Sequence, residues 1–87
     1  MLDLPGRVAK TLVTQSTPTA GGSLVNLSQS RLAELAGGSR QSLNQVLHRF
    51  ADRGLVRVEA HGIVVRDLAA LRRRAGLPQD GTGPDQP

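Results

Sequence analysis

The chain has 87 residues, room for one small domain around one core. It holds no cysteine, which excludes disulfides, thiol catalysis and cysteine zinc sites and is what a cytoplasmic protein is expected to show. Of its 7 acidic residues, Asp80 and Asp85 lie beyond Leu77, so residues 1–76 hold 11 basic against five acidic side chains, an excess of six that favours a polyanionic partner.

No apolar run is long enough to span a membrane, and the N-terminus lacks a signal-peptide pattern. The single aromatic residue, Phe50, falls on an apolar stripe. Proteins that bind single strands or specific RNA sequences stack bases on exposed rings, so duplex DNA is the polyanion this composition favours.

Residues 2–16 are expected to form a first helix. Pro5 is tolerated in its opening turn, and Val8, Ala9, Leu12 and Val13 make a helical stripe with Arg7 and Lys10 outside. Residues 14–18 end this helix, and Pro18 through Gly22 reads as a flexible loop. Leu24-Val25-Asn26-Leu27 is a short strand candidate.

The stretch from Ser28 to Arg53 reads as two helices separated by Gly37-Gly38-Ser39, the layout of a helix-turn-helix. Ser28 caps the first, whose apolar positions are Leu32, Ala33, Leu35 and Ala36. Ala33 is small where two steeply crossed helices leave little room, and Gly37 follows where a left-handed backbone suits only glycine. Ser39 caps the second, over about 39–53, with Leu43, Val46, Leu47 and Phe50 at i, i+3, i+4, i+7. Its other face carries Arg40, Gln41, Asn44, Gln45 and His48, hydrogen-bonding groups suited to base edges in the major groove.

Gly54 stops that helix, and Leu55–Glu59 and Ile63–Arg66 read as strands joined by the turn Ala60-His61-Gly62. A hairpin over 55–66 after a helix-turn-helix is a wing, with the strand at 24–27 as a third member. The fold class expected is therefore mainly α with a small β-sheet, a winged helix-turn-helix. The wing's turn makes His61 and the amide of Gly62 candidate phosphate contacts. Asp67 caps a last helix, Leu68 to Ala75, with Leu68 and Leu71 inward and Arg72, Arg73 and Arg74 outward. Residues 1–76 make the domain, and 77–87, which include PQDGTGPDQP, read as a disordered tail.

The segments LDLPGRVAKTL, LSQSRLAELAGGSRQSLNQVLHRFADRGLVRV and HGIVV resemble the C-terminal DNA-binding domain of the Crp/Fnr family of bacterial transcription regulators, over residues 2 to about 76. The resemblance implies a winged helix that reads half of a palindromic duplex site, in a homodimer held by a dimerisation helix upstream. It implies no cofactor in this domain; a cyclic nucleotide or other effector would bind a sensor domain. Neither the sensor nor the long dimerisation helix is among these residues, and Met1 falls near where the family's linker ends, so a separately expressed or excised domain is expected. RNA polymerase is a further candidate partner.

On the resemblance, Arg40 takes the principal base-reading place, and its fork fits guanine O6 and N7. Gln41 stands where well-known members carry glutamate, and Gln45 where they carry arginine, so their half-sites are not expected here. Asn44 shares the face. Ser28, Ser30, Ser39 and Ser42 match positions that hold phosphates, and His61 matches a wing residue on a shorter wing. No catalytic residue and no metal site is expected: His48 and His61 have no nucleophile or carboxylate pair at a useful spacing, and the glycine pairs belong to a loop and a turn. The alternative is a winged-helix module for protein–protein interaction. An RNA-binding winged helix is disfavoured by the missing exposed aromatics.

Overall fold

The computed structural model describes residues 3–20 and 22–77. The elements run α1 (Leu4–Gln15), β1 (Thr17–Thr19), β2 (Gly22–Val25), α2 (Gln29–Ala36), α3 (Arg40–Asp52), β3 (Val56–Glu59), β4 (Gly62–Val65) and α4 (Leu68–Ala75). The strands form one antiparallel sheet in the order β1-β2-β4-β3. Sequence-distant β2 thus pairs with the wing, with Val25 opposite Ile63.

Each helix starts on a side chain that satisfies amides its first turn cannot pair. Asp3 Oδ1 accepts from the Gly6 amide at 2.9 Å, Ser28 Oγ from Arg31 at 3.1 Å, Ser39 Oγ from Ser42 at 3.0 Å and Asp67 Oδ1 from Ala70 at 3.0 Å. Gly37 closes α2 at φ 80°, ψ 30°, and both its amide and that of Gly38 return to the Ala33 carbonyl, at 2.9 and 3.0 Å. This left-handed closure turns the chain sharply between the two helices.

The core lies where α1, α2, α3 and α4 meet one side of the sheet, and Leu12, Leu32, Leu43, Leu47, Ile63 and Leu71 are fully buried in it. Ala33 is 4% exposed, a small side chain buried in the same core. No polar side chain is buried among the described residues.

Several expectations need correction. Pro18 to Gly22 is not simply a loop: Thr17–Thr19 pairs with Gly22–Val25 as an edge hairpin, where Pro18, opposite Ser23, is tolerated because an edge strand can spare an amide. The strand placed at 24–27 starts earlier and ends at Val25. Leu35 is not buried but 43% exposed. The buried positions of α2 are Leu32, Ala33 and Ala36, and at 3.6 residues per turn Leu35 lies roughly 110° from the middle of that arc.

Arg7 is not outside. It is half-buried, and its Nε donates to the Ala36 carbonyl at 2.9 Å, satisfying a group that the end of α2 leaves without an amide. The arginines of α4 are not all simply solvated either. Arg72 is half-buried, and Arg74 Nη2 meets Asp3 Oδ2 at 2.8 Å across the α1–α4 contact. Leu77, assigned to the tail, packs on the core, and its amide donates to the Arg72 carbonyl at 2.8 Å. The remainder of the expected tail, residues 78–87, lies outside the described residues.

The Arg74 guanidinium, and after it the Gly6 amide, hold the Asp3 carboxyl below its ordinary 3.8. A depressed value in the folded state means that this carboxylate stabilises the fold above its unfolded value and that the contribution is lost as pH falls through the lower folded one. Thermal melts carried from neutral pH into the acid range should therefore fall less steeply below pH 3.8 for Asp3→Asn than for the unaltered chain. Identical acid limbs would remove Asp3 from that role.

Candidate nucleic-acid interface

The face opposite the buried stripe of α3 begins at its first residue. Arg40, Gln41, Asn44 and Gln45 fall within an arc of roughly 140° at 3.6 residues per turn, and His48 continues it on the next turn. Arg40, Gln41, Gln45 and His48 are exposed, and Asn44 is half-buried. The stripe that frees this face is the core contact: Leu43, Val46, Leu47 and Phe50 are all buried.

Two concave surfaces flank Arg40. A shallow groove of about 390 Å³ is lined by Gln29, Arg40, Gln41, Asn44 and Gln45. A cleft of about 390 Å³ lies between the start of α2, the start of α3 and the wing; Ser28, Gln29, Arg40, Glu59, His61 and Gly62 are among its walls. Arg40 and Gln29 line both, so helix face and wing form one continuous surface. Its entrance also carries the capped start of α2, and helix starts bear partial positive charge with unpaired amides.

The structure brings Arg40, Gln41, Asn44 and Gln45 together with Ser28, His61 and Gly62 on that surface. His61 is exposed in the two-residue turn between β3 and β4. Gly62 is buried at the start of β4, and a Cβ added there would stand 2.3 Å from the Val25 carbonyl oxygen. Ser30, Ser39 and Ser42 line neither concavity. Ser39 and Ser42 are joined to each other, the Ser39 hydroxyl donating to Ser42 Oγ at 3.0 Å, so both hydroxyls serve the start of α3.

Glu59 and Gln29 are among the surface residues missed from the sequence. Glu59 puts a carboxylate on the wing side of the cleft, where Arg57 pairs with it. Gln29 stands at the junction of groove and cleft, and its Oε1 accepts from Asn44 Nδ2 at 3.1 Å. Nothing in the local sequence marks Gln29, because its partner is 15 residues away.

Among the described residues no three His, Cys, Asp or Glu side chains gather as metal ligands, and no helix is long and apolar enough to cross a membrane.

Residues 6–74 match the Crp-like helix-turn-helix domain family, from the first turn of α1 to the last turn of α4. The chain belongs to that family. It is a winged helix-turn-helix, DNA-binding domain of the kind carried by Crp/Fnr transcription regulators.

The CRP-like cAMP-activated global transcriptional regulator of Mycobacterium tuberculosis (strain ATCC 25618 / H37Rv) is 39% identical over 79 residues, covering 84% of this Crp-like chain and 35% of the relative. The cyclic AMP receptor protein of Thermus thermophilus is 39% identical over 54 residues, 62% of this chain and 25% of that protein. The crystal structure of the Thermus thermophilus catabolite activator protein superposes with a TM-score of 0.73 at 36% identity, over 86% of this chain and 35% of that one. The chain thus spans about a third or less of the length of the curated relatives it matches.

Proposed function

We propose that the chain binds duplex DNA sequence-specifically, with α3 in the major groove and the β3–β4 wing over the sugar-phosphate backbone. The observation that carries this reading is the continuity of the surface at Arg40: one guanidinium is shared by the amide-lined groove of α3 and the cleft beneath His61. Arg40, Gln41, Asn44 and Gln45 read base edges, Arg40 as a fork toward guanine O6 and N7. Ser28, Ser30, Ser39, Ser42, His61 and Gly62 form the backbone-positioning set, in which hydroxyls and helix-start amides meet phosphate oxygens. The excess of basic side chains over residues 1–76 supports it through counterion release. No catalytic role and no resident cofactor belong to this reading.

The relatives supply the wider setting. They are named as cAMP-activated or cyclic-AMP-receptor regulators. We place effector binding and dimerisation in parts of such a regulator outside these residues, the dimer presenting two α3 helices to the halves of a palindromic site in the cytoplasm. RNA polymerase is the further partner in that setting. Two weak half-site contacts then act as one, so the isolated domain binds weakly.

Selection of bound duplexes from a random pool, with the chain held as a dimer, is expected to return one half-site sequence. On that sequence Arg40→Ala should cost about 1–3 kcal/mol, with little change on random DNA. Equal losses on both would take Arg40 out of the reading role, and a pool with no enriched sequence would overturn specific binding.

A further inference from the structure

The amide of Asn44 has a partner on α2. Its nitrogen donates to Gln29 Oε1 at 3.1 Å, and both side chains are half-buried where α2 meets α3. Both also line the groove that holds Arg40, Gln41 and Gln45. A carboxamide offers one acceptor oxygen and two N–H donors, and an unheld asparagine presents either end.

From this we infer that Gln29 is a specificity-determining residue that holds Asn44 in one orientation and so makes it a reader of adenine. One Asn44 N–H is engaged by Gln29. That orientation leaves the oxygen and the remaining N–H for the base, an acceptor beside a donor. Adenine alone presents the matching pair in the major groove, the N6 amino group as donor and N7 as acceptor. Guanine presents two acceptors, so the same edge meets it with one pairing and one oxygen–oxygen repulsion. The selectivity thus comes from the partner on α2, which fixes which atoms of Asn44 face outward. The restraint also removes rotamer freedom before DNA arrives, which lowers the ordering cost of the contact. Gln29 keeps its own amide nitrogen, two donors, for a phosphate oxygen beside the start of α2.

The inference rests on the DNA-reading surface proposed above, and polarity makes it separable. Glutamate at position 29 can only accept, so Gln29→Glu leaves Asn44 donating and its outward edge unchanged. Lysine can only donate, so Gln29→Lys turns the Asn44 oxygen inward and leaves N–H groups facing the base. The test is selection from a random duplex pool with the full chain held as a dimer, and likewise with Gln29→Ala, Gln29→Glu, Gln29→Lys, Asn44→Ala and Arg40→Ala.

The unaltered chain should show one adenine position that Asn44→Ala abolishes, beside a guanine position that Arg40→Ala abolishes. Gln29→Ala should lower the adenine preference about tenfold while leaving the guanine position intact, which also shows the variant to be folded. Gln29→Glu should keep the adenine preference with uniformly weaker binding, and Gln29→Lys should move it toward guanine. An adenine position unmoved by Gln29→Ala, equal profiles for the Glu and Lys variants, or no position that depends on Asn44 would overturn the inference. In each of those cases an Arg40-dependent guanine position leaves the DNA-binding reading standing, whereas its absence from the unaltered chain would sink both.

Discussion

Leu43→Ala is expected to destabilise the chain by about 2–5 kcal/mol, because it removes a fully buried side chain and leaves a void that the helices cannot close. Leu43 is 1% exposed and lies on the side of α3 that holds the helix against the core. A domain of this size has about 5–15 kcal/mol in all, so much of the molecule's margin goes with one leucine. Thermal melts read the loss directly. DNA binding should fall only as far as the unfolded fraction grows, and cooling should restore it. Arg40→Ala is the contrasting case: Arg40 is exposed, so its melt should be unchanged while its affinity for the selected site drops. If Leu43→Ala melted like the unaltered chain, the burial of α3 against α2 would be wrong.

Gly62→Ala should be nearly as damaging, through crowding instead of a void. An added Cβ would sit 2.3 Å from the Val25 carbonyl oxygen and 3.4 Å from the Asn26 Cα. The first distance is far inside contact, and the obstacle is backbone, which cannot rotate away as a side-chain tip would. Either the wing turn lifts or the end of β2 is pushed off its partner, at a cost of about 1–3 kcal/mol or more. For a domain of this size each kcal/mol lowers the melting temperature by about 4–8 °C. Lifting the wing also withdraws His61 and the Gly62 amide from the surface proposed to meet phosphates, so affinity for the selected duplex should fall as well. A melt and an affinity equal to those of the unaltered chain would show that the wing sits on β2 without needing a bare backbone there.

The parts of the fold that follow from short-range chemistry are readable along the chain itself. Ser28, Ser39 and Asp67 announce helix starts because a capping oxygen acts only on amides two or three residues ahead. The buried side of α3 shows because Leu43, Val46, Leu47 and Phe50 repeat at the helical period, and the polar side follows by subtraction. The wing shows through two β-branched runs around a short turn.

What stayed hidden depends on elements meeting in space. Thr17-Pro18-Thr19 is wholly exposed, so it lacks the alternation of a half-buried strand and becomes one only because β2 lies beside it. Leu35 has an apolar side chain in a helix too short for its period to be read surely, and it stays 43% exposed. Arg7 looks like any outward arginine until the end of α2 arrives 29 residues later. The same holds for the interface. The outward face of α3 was legible, but the meeting of Arg40 with the wing cleft and the hold of Gln29 on Asn44 are tertiary facts.

The contact between Asp3 and Arg74 joins residues 71 positions apart at 2.8 Å, and it brings the beginning and the finish of the described chain to one corner. The path is nearly a closed ring, with opposite charges meeting at the seam. A tether of a few residues from Leu77 back to Asp3 would complete that ring without stretching it, and new ends opened in an exposed bend elsewhere would leave the same contacts in place. Segments joined ahead of Asp3 and after Leu77 would therefore leave the domain on the side where α1 meets α4.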